Sequence, residues 1–338
     1  MKIGMLGTIS WRTPPRYYGP WETVVHNLTE GLVSRGYDVT LFATGDSITS
    51  ATLDWVCPRG FYEDETLDAG VYQWLHISNA FEKADQFDIL HSHYDFYPLT
   101  FSRFTDTPLL TTIHGFSSER ILPVYKKYWD NYYVSISNAD RAEGLNYLAT
   151  VYNGIDVKSF EYSDTADDYL LFFGRISHDK GTHRAIEVAK QTGLTLKIAG
   201  LVASEHQAYF ERYVKPQIDG EQVQFIGMVD EQTKNELFKN AYCSLHLISF
   251  AEPFGLTMAE SMACGCPVIA TNMGSVPELI VDGKTGFIVD NAREAADKVG
   301  RIDRIKRQDC RRHACRFDLD HMVEGYIEVY DTIMERQA

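Results

Sequence analysis

The chain has 338 residues, with 32 Lys and Arg against 47 Asp and Glu and a formal net charge of −15. At roughly 100–200 residues per domain this length suggests two domains, and 44% hydrophobic content with 13% aromatic is enough to build their cores. So acidic a chain is a poor partner for nucleic acid, whose phosphates demand a basic surface. The local exception is 301–316, "RIDRIKRQDCRRHACR", with seven Lys or Arg against two Asp. A solvated helix face accounts for it; a patch for anionic lipid or another polyanion is the alternative. The six cysteines at 57, 243, 264, 266, 310 and 315 include no CxxC pair. The first apolar run is short and is broken by Trp11-Arg12-Thr13-Pro14, unlike a secretory leader. The cysteines therefore read as reduced thiols of a cytoplasmic protein. No stretch approaches the roughly 18 apolar residues of a membrane span.

In chain order, "KIGMLG" (2–7) reads as a first buried strand. The next stretch, "TPPRYYGPWE" (13–22), stands where nucleotide-binding folds place a short glycine-rich turn, yet it carries three prolines, two tyrosines, a tryptophan and one glycine. A helix over 20–35 follows. Pro20 suits a first helical position, where its missing N–H is not needed, Glu22 suits the first turn, and Gly36 suits the stop. "DVTLFAT" (38–44), "FDILHSH" (87–93), "PLLTTIH" (108–114) and "YYVSIS" (132–137) are nearly continuous apolar runs, as parallel strands covered on both faces should be. Residues 151–166 carry turn chemistry at Asn153-Gly154 and then polar residues, and make a linker. The pattern restarts with strand 167–175 and helix 179–191, for which Asp179 is the expected N-cap. Strands "LTLKIAG" (194–200), "VQFIG" (223–227), "AYCSLHL" (241–247), "PVIAT" (267–271) and "GFIV" (286–289) follow. Two such series predict an α/β chain of two doubly wound, Rossmann-like parallel-sheet domains, 1–155 and 156–317. Such folds bind ligands at the carboxyl ends of their strands, so two domains facing each other would hold the ligand in a deep inter-domain cleft.

The most informative stretch is "FAEPFGLTMAESMACGCPVIAT" (250–271). A loop through Glu252-Pro253-Phe254 leads into a helix expected from Gly255 to Cys264. The N–H groups of Phe254, Gly255 and Leu256 have no helical acceptor there, and the helix dipole adds partial positive charge, so this is a ready anion site. Glu260 lies among Leu256, Met258, Ala259 and Met262, and a carboxylate in such company needs partners. Sugar hydroxyls suit, because a carboxylate accepts from two at once. The alternative makes Glu252 a first-turn acid and Glu260 an exposed position. In "FFGRISHDKGTHRAIEVAK" (172–190) the strand ends at Gly174, and Arg175 and Lys180 follow. Two cations at a strand end match a diphosphate, with Arg as a bidentate clamp and Lys as a point charge. A solvated charged loop is the alternative.

Taken together, "TTIHGF" (111–116), "VYNGID" (151–156), "GRISHDKG" (174–181), the Glu252-x7-Glu260 spacing and "ACGCPVIATNMGSVPELIVDGKTGFIV" (263–289) resemble the family 4 retaining glycosyltransferases of the GT-B fold, over most of the chain and most closely over 170–290. The resemblance implies an acceptor-binding first domain, a donor-binding second domain, and a last helix (about 318–338) that packs back on the first. It implies that Arg175 and Lys180 hold the donor diphosphate and that Glu252 contacts hydroxyls of the transferred sugar. The backbone of Phe254, Gly255 and Leu256, with Gly174 nearby, would cradle sugar and phosphate, and Glu260 would accept from the ribose. His114 would contact the donor sugar at the reacting face, and the base would pack near Ile226 to Met228. It further implies metal-free transfer with retention and no cofactor beyond the nucleotide sugar. Family members usually carry two adjacent glycines after the first strand. Here Pro20 takes the second place and has no N–H, which leaves Gly19 for the phosphate. Tyr17, Tyr18, Trp21, His93 and Tyr94 read as an acceptor wall. This form of the loop is also similar to a subgroup that glucosylates small soluble acceptors such as pterins.

Other readings compete for some residues. His91 and His93 with Asp95 can begin a metal-hydrolase site; it needs further His and Asp ligands from later strand ends, of which His114 could be one, but the motifs of the second half would then have no job. Asp318 and Asp320 in "FDLD" match a metal signature of another glycosyltransferase architecture, although capping of the helix that follows explains them. Cys264 and Cys266 flank a glycine and lack further metal ligands. The expected reaction moves a hexose, most simply from a UDP-sugar, to a hydroxyl of a soluble saccharide or small metabolite. An epimerase, an inactive sugar-nucleotide-binding protein, and membrane-associated transfer to a lipid-linked acceptor are the alternatives. "ERILPVYKKYW" (119–129) pairs apolar with basic residues but is interrupted by Pro123 in an acidic chain, so membrane contact is not favoured.

Overall fold

A computed structural model describes residues 1–115 and 119–337; Phe116, the last residue of "TTIHGF", lies outside them. Contacts divide the chain into two compact units. The first comprises Met1–Gly154 with the final helix, Leu319–Gln337, and the second is Ile155–Asp318.

In the first unit, strands β1 (Lys2–Leu6), β2 (Asp38–Ala43), β3 (Thr52–Trp55), β4 (Ile89–Ser92), β5 (Leu109–Ile113), β6 (Tyr132–Ser135) and β7 (Tyr147–Thr150) form one sheet in the order β3-β2-β1-β4-β5-β6-β7. Every pairing is parallel. The five apolar runs of the sequence are its central strands, β4 and β5 being buried at every position. The two edge strands, β3 and β7, carry mixed side chains because each has a neighbour on one side only, so no continuous apolar run announces them.

The first helix, Pro20–Val33, has Pro at its start, and Gly36 closes it at φ 84°. At Gly31 it packs on the final helix so closely that a Cβ would lie 2.4 Å from Val323 Cγ2. Gly31→Leu is therefore expected to lower stability by about 1–3 kcal/mol through overpacking, read as a fall in the urea midpoint. The final helix also sends Tyr326 and Tyr330 fully buried into this unit. Asp320 at its start pairs with Arg35 at 2.6 Å.

The second unit holds β8 (Tyr169–Phe173), β9 (Thr195–Ala199), β10 (Val223–Gly227), β11 (Cys243–His246), β12 (Val268–Thr271) and β13 (Gly286–Val289), all parallel, in the order β10-β9-β8-β11-β12-β13. The helix after β8 is Thr182–Thr192, later than expected, and its N-cap is Gly181 rather than Asp179. Gly181 adopts φ 76°, and a Cβ there would lie 2.0 Å from the Leu247 carbonyl oxygen, so only glycine fits. The Asp179 carbonyl instead accepts the Ser249 N–H at 2.8 Å, tying the loop after β8 to the loop after β11.

Two arginines of the basic segment 301–316 are structural. Arg307 donates to the carbonyls of Ser163, Ala241 and Lys239 at 2.8, 2.8 and 2.6 Å, and Arg311 to those of Phe160 and Ala263 at 2.8 and 2.5 Å. Strand order reverses between β8 and β11 in this unit and between β1 and β4 in the first. Open parallel sheets bind ligands at the carboxyl ends of strands beside such a reversal.

Candidate functional site

In the second unit the end of β11 and the loops after β8 and β11 bring His246, Arg175, Lys180 and Glu252 to that position. Lys180 Nζ donates to Glu252 Oε2 at 2.6 Å, and His246 Nε2 lies 3.2 Å from the same oxygen. An ionised carboxylate only accepts, so this imidazole nitrogen carries the proton. Glu252 is 7% exposed. Burial pushes its carboxyl pKa upward, but the His246 hydrogen bond and the Lys180 charge outweigh burial and bring it down to about 2. Its second oxygen, Oε1, has no donor among the described residues. Lys180 also lies over the Phe250 ring, 4.6 Å from its centroid.

The loop carrying Glu252 is fixed from behind. Ser275 N–H donates to the Glu252 carbonyl at 2.9 Å and Ser275 Oγ to the Phe254 carbonyl at 2.7 Å. A Cβ on Gly274 would lie 2.3 Å from the Glu252 nitrogen. Gly255, at φ 90°, caps helix Leu256–Ala263 without a side-chain bond; its carbonyl accepts the Met258 N–H at 3.0 Å, and no side chain caps the amides before it. The Phe254 side chain is buried edge-on against Phe317, 5.7 Å between centroids.

Arg175 makes a 3.5 Å contact with Asp179, at the limit of a hydrogen bond, and its buried Nε has no partner among the described residues. Gly174 precedes it at φ 150°. Glu260 has a partner of its own. It is 8% exposed, and its partner is a side chain absent from the sequence reading: Lys234 Nζ, 3.0 Å from Oε1. Burial works against the Lys234 charge, but Glu260 and Glu231 outweigh it and hold the ammonium above its ordinary pKa. Met228 and Ile226, at the end of edge strand β10, are 52% and 41% exposed.

His246 and Lys234 are the residues sequence reasoning missed. Both had a signal. His246 ends a strand six residues before Glu252, and Lys234 shares a helix face with buried Leu237 and Phe238.

Glu252 gives a test of its pairing. Its folded pKa lies below the value of about 4.3 for an unfolded Glu, so its ionisation contributes stability that is fully present above the unfolded value and is lost as pH falls through the folded one. His246→Phe removes one lowering partner and shrinks that contribution. The variant is expected to be less stable at neutral pH and to lose less stability on acidification, measured by urea denaturation across pH; an unchanged acid limb would contradict the pairing.

In the first unit, His114 follows β5 and His93 follows β4, and the two meet: His93 Nδ1 is 2.7 Å from His114 Nε2. The Trp21 ring stacks on His114 at 5.5 Å and 26°. The His91 nitrogens lie against Tyr330 Oη (2.7 Å) and Thr112 Oγ1 (2.8 Å), and Asp95 accepts from Tyr125 at 3.0 Å, so the metal-hydrolase reading of these residues loses its ligands. Burial holds His114 at a pKa of about 3 and His91 and His93 well below their ordinary value.

Of the five residues read as an acceptor wall, Tyr94 and His93 are buried. Tyr94 is 4% exposed and packs with Leu6, Ile9 and Phe42 in the core, because it follows the strand end inward. His93 is fully buried, Tyr17 is exposed, and Trp21 and Tyr18 are partly buried. Glu22 stands in the first turn of its helix, as expected. It is buried and accepts from Thr8 Oγ1 at 2.5 Å, and burial raises its pKa. A Cβ on Gly19 would lie 2.8 Å from Pro15 Cβ and 2.9 Å from Glu22 Oε2, so the single glycine of the loop is required by close approach. The loop is also held by Arg16 to Glu63 at 2.9 Å.

Comparison with known proteins agrees with this architecture. The profile for "Glycosyl transferases group 1" matches residues 156–317, and that for "Glycosyltransferase Family 4" matches 21–159. The chain is 24% identical to glycogen synthase of Mycobacterium tuberculosis, over 82% of this chain and 80% of that one. Sucrose-phosphate synthase from Thermosynechococcus elongatus superposes with a TM-score of 0.83 at 18% identity, covering 99% of this chain and 100% of the other. Anabaena HepE, solved with UDP-glucose, superposes with a TM-score of 0.75 at 18% identity over 98% of this chain and all of its own.

Proposed function

The chain belongs to the family 4 glycosyltransferases of the GT-B fold, and from that premise we propose that it moves a hexose from a UDP-sugar to a hydroxyl of a soluble saccharide or small metabolite, retaining the anomeric configuration and requiring no metal. That it is a glycosyltransferase using a nucleotide-sugar donor follows from the family. UDP-glucose in HepE supports the choice of base. The observation that carries the reading is the Lys180–Glu252–His246 cluster: a buried carboxylate kept ionised, with one oxygen tied down and the other without a donor among the described residues. Such a carboxylate suits sugar hydroxyls. The Lys180 ammonium has three donors and spends one on Glu252, so it can also meet a phosphate oxygen. Arg175, whose Nε–H has no partner among the described residues, and the first-turn amides after Gly255 add further positive potential for a departing diphosphate. On this reading the leaving phosphate and the incoming hydroxyl act on one face of the sugar, and preorganised cations stabilise the charge that develops as the glycosidic bond breaks.

Thermal-shift measurement with UDP-, GDP- and ADP-sugars selects the donor. Transfer assays with that donor then test the reaction, with the product anomer read by NMR and EDTA present or absent. The expected result is stabilisation by a UDP-sugar and a retained anomer that EDTA does not affect. An inverted product or a metal requirement would overturn the mechanism. Turnover confined to a lipid-linked acceptor would replace the soluble one, and epimerisation or binding without turnover would replace transfer itself.

A further inference from the structure

His114 and His93 share one contact, 2.7 Å between His114 Nε2 and His93 Nδ1. Both rings are neutral, because burial keeps them far from protonation at ordinary pH. Each neutral imidazole has one donor and one acceptor nitrogen, so a single proton lies between the two rings and there are two ways to place it. If His114 donates from Nε2, then His93 accepts at Nδ1 and must carry its own proton on Nε2. If His93 donates from Nδ1, then its Nε2 is a bare lone pair and His114 carries its proton on Nδ1.

The surroundings of His93 Nε2 choose between them. That atom is buried and has no hydrogen-bond partner among the described residues. A buried N–H without an acceptor is the rarer and costlier orphan. The first arrangement creates one; the second leaves only an unused lone pair. A 180° flip of either ring would set carbon opposite nitrogen and give up the 2.7 Å contact between them. The His93 ring lies 4.2 Å from His91, whose two nitrogens are occupied by Tyr330 and Thr112, and Thr112 Oγ1 is 2.9 Å from Tyr326 Oη. On its other side His114 lies against Trp21. The final helix, through its two tyrosines, thus backs the pair.

We infer that His93 is a positioning residue that fixes His114 in the Nδ1–H tautomer, so that His114 presents a neutral N–H donor to a ligand oxygen and does not act as the base for the acceptor hydroxyl. The role at a sugar oxygen rests on the proposed transferase reading; the tautomer does not. A tautomer set by the partner of the other ring nitrogen is a general device of histidine sites.

The test uses the full chain with ¹⁵N-labelled histidine, and long-range ¹H–¹⁵N spectra at neutral pH without ligand. His114 and His93 are both expected as Nδ1–H tautomers. In His93→Phe, His114 should shift toward the Nε2–H form. In His93→Asn, whose side-chain amide can donate from nearly the position of Nδ1, it should stay Nδ1–H. In transfer assays the Phe variant should lose about 10- to 100-fold in kcat with KM for the donor little changed, and the Asn variant should recover most of that loss. An Nε2–H His114 in the wild-type protein, or an unchanged tautomer in the Phe variant, would overturn the inference. Should the Phe variant fail to fold, the wild-type spectrum alone decides. Absence of any transferase activity would sink the functional reading and leave the tautomer result standing.

Discussion

Lys180→Ala is expected to lower kcat/KM by about 100- to 1,000-fold, the scale on which removal of one preorganised group facing developing charge is felt. Two effects combine. The leaving diphosphate loses a cation, and Glu252 loses the shorter of the two contacts on its Oε2. With the ammonium gone, burial acts on Glu252 against His246 alone, so its pKa rises from about 2. The carboxylate then becomes less fixed as an acceptor for sugar hydroxyls. Loss of a hydrogen bond to a charged group also costs about 1.5–3 kcal/mol of stability, which a domain of this size tolerates, so the variant should remain folded by circular dichroism. Lys180→Arg keeps the charge but replaces a compact ammonium by a planar fork, and should recover part of the rate. Glu252→Gln keeps the shape and loses the charge; it should match Lys180→Ala in kcat. Near-wild-type turnover in either Lys180→Ala or Glu252→Gln would remove this cluster from the reaction.

Much of this arrangement can be read from the chain, and the parts that cannot share a cause. The parallel strands are legible because burial on both faces makes them continuous apolar runs, and the helix after Gly255 is legible because its start is marked by glycine and its body by apolar spacing. Lys180 and Glu252 are legible as chemistry-bearing residues at strand ends. Their direct pairing is not, because 72 positions separate them and only the adjacency of β8 and β11 brings them together. Lys234 and Glu260 escape for the same reason: a lysine in a polar helix looks solvated until a carboxylate on another helix is placed against it. The N-cap shift from Asp179 to Gly181 has a tertiary origin too, since the Leu247 carbonyl leaves no room for a Cβ. Tyr94 shows the converse error. An aromatic beside a strand end reads as part of an acceptor wall, but residues at the end of a central strand point alternately toward each covered face, and this one meets the core.

Lys234 and Glu260 allow stability and donor binding to be separated. Their side chains are each 11% exposed and meet at 3.0 Å. Removing one partner of a buried pair strands the other charge and costs about 3–5 kcal/mol, whereas replacing both by apolar groups of similar volume is often neutral or stabilising. Lys234→Met should therefore fall steeply in urea stability, and Lys234→Met/Glu260→Leu should regain most of the loss. Donor binding should not follow the same course. Lys234 occupies Oε1 of Glu260, which would leave Oε2 for the ribose that the family resemblance assigns to this residue. Both Glu260→Leu and the double variant lose that acceptor, and a hydrogen bond to a charged group is worth about 1.5–3 kcal/mol, or about 10- to 150-fold in the donor KM. The double variant should thus combine near-wild-type stability with a raised donor KM and a smaller change in kcat, since the ribose contact is made equally in ground and transition states. A double variant that regained both stability and donor affinity would reduce Glu260 to a structural ion pair and move ribose recognition elsewhere in the second unit.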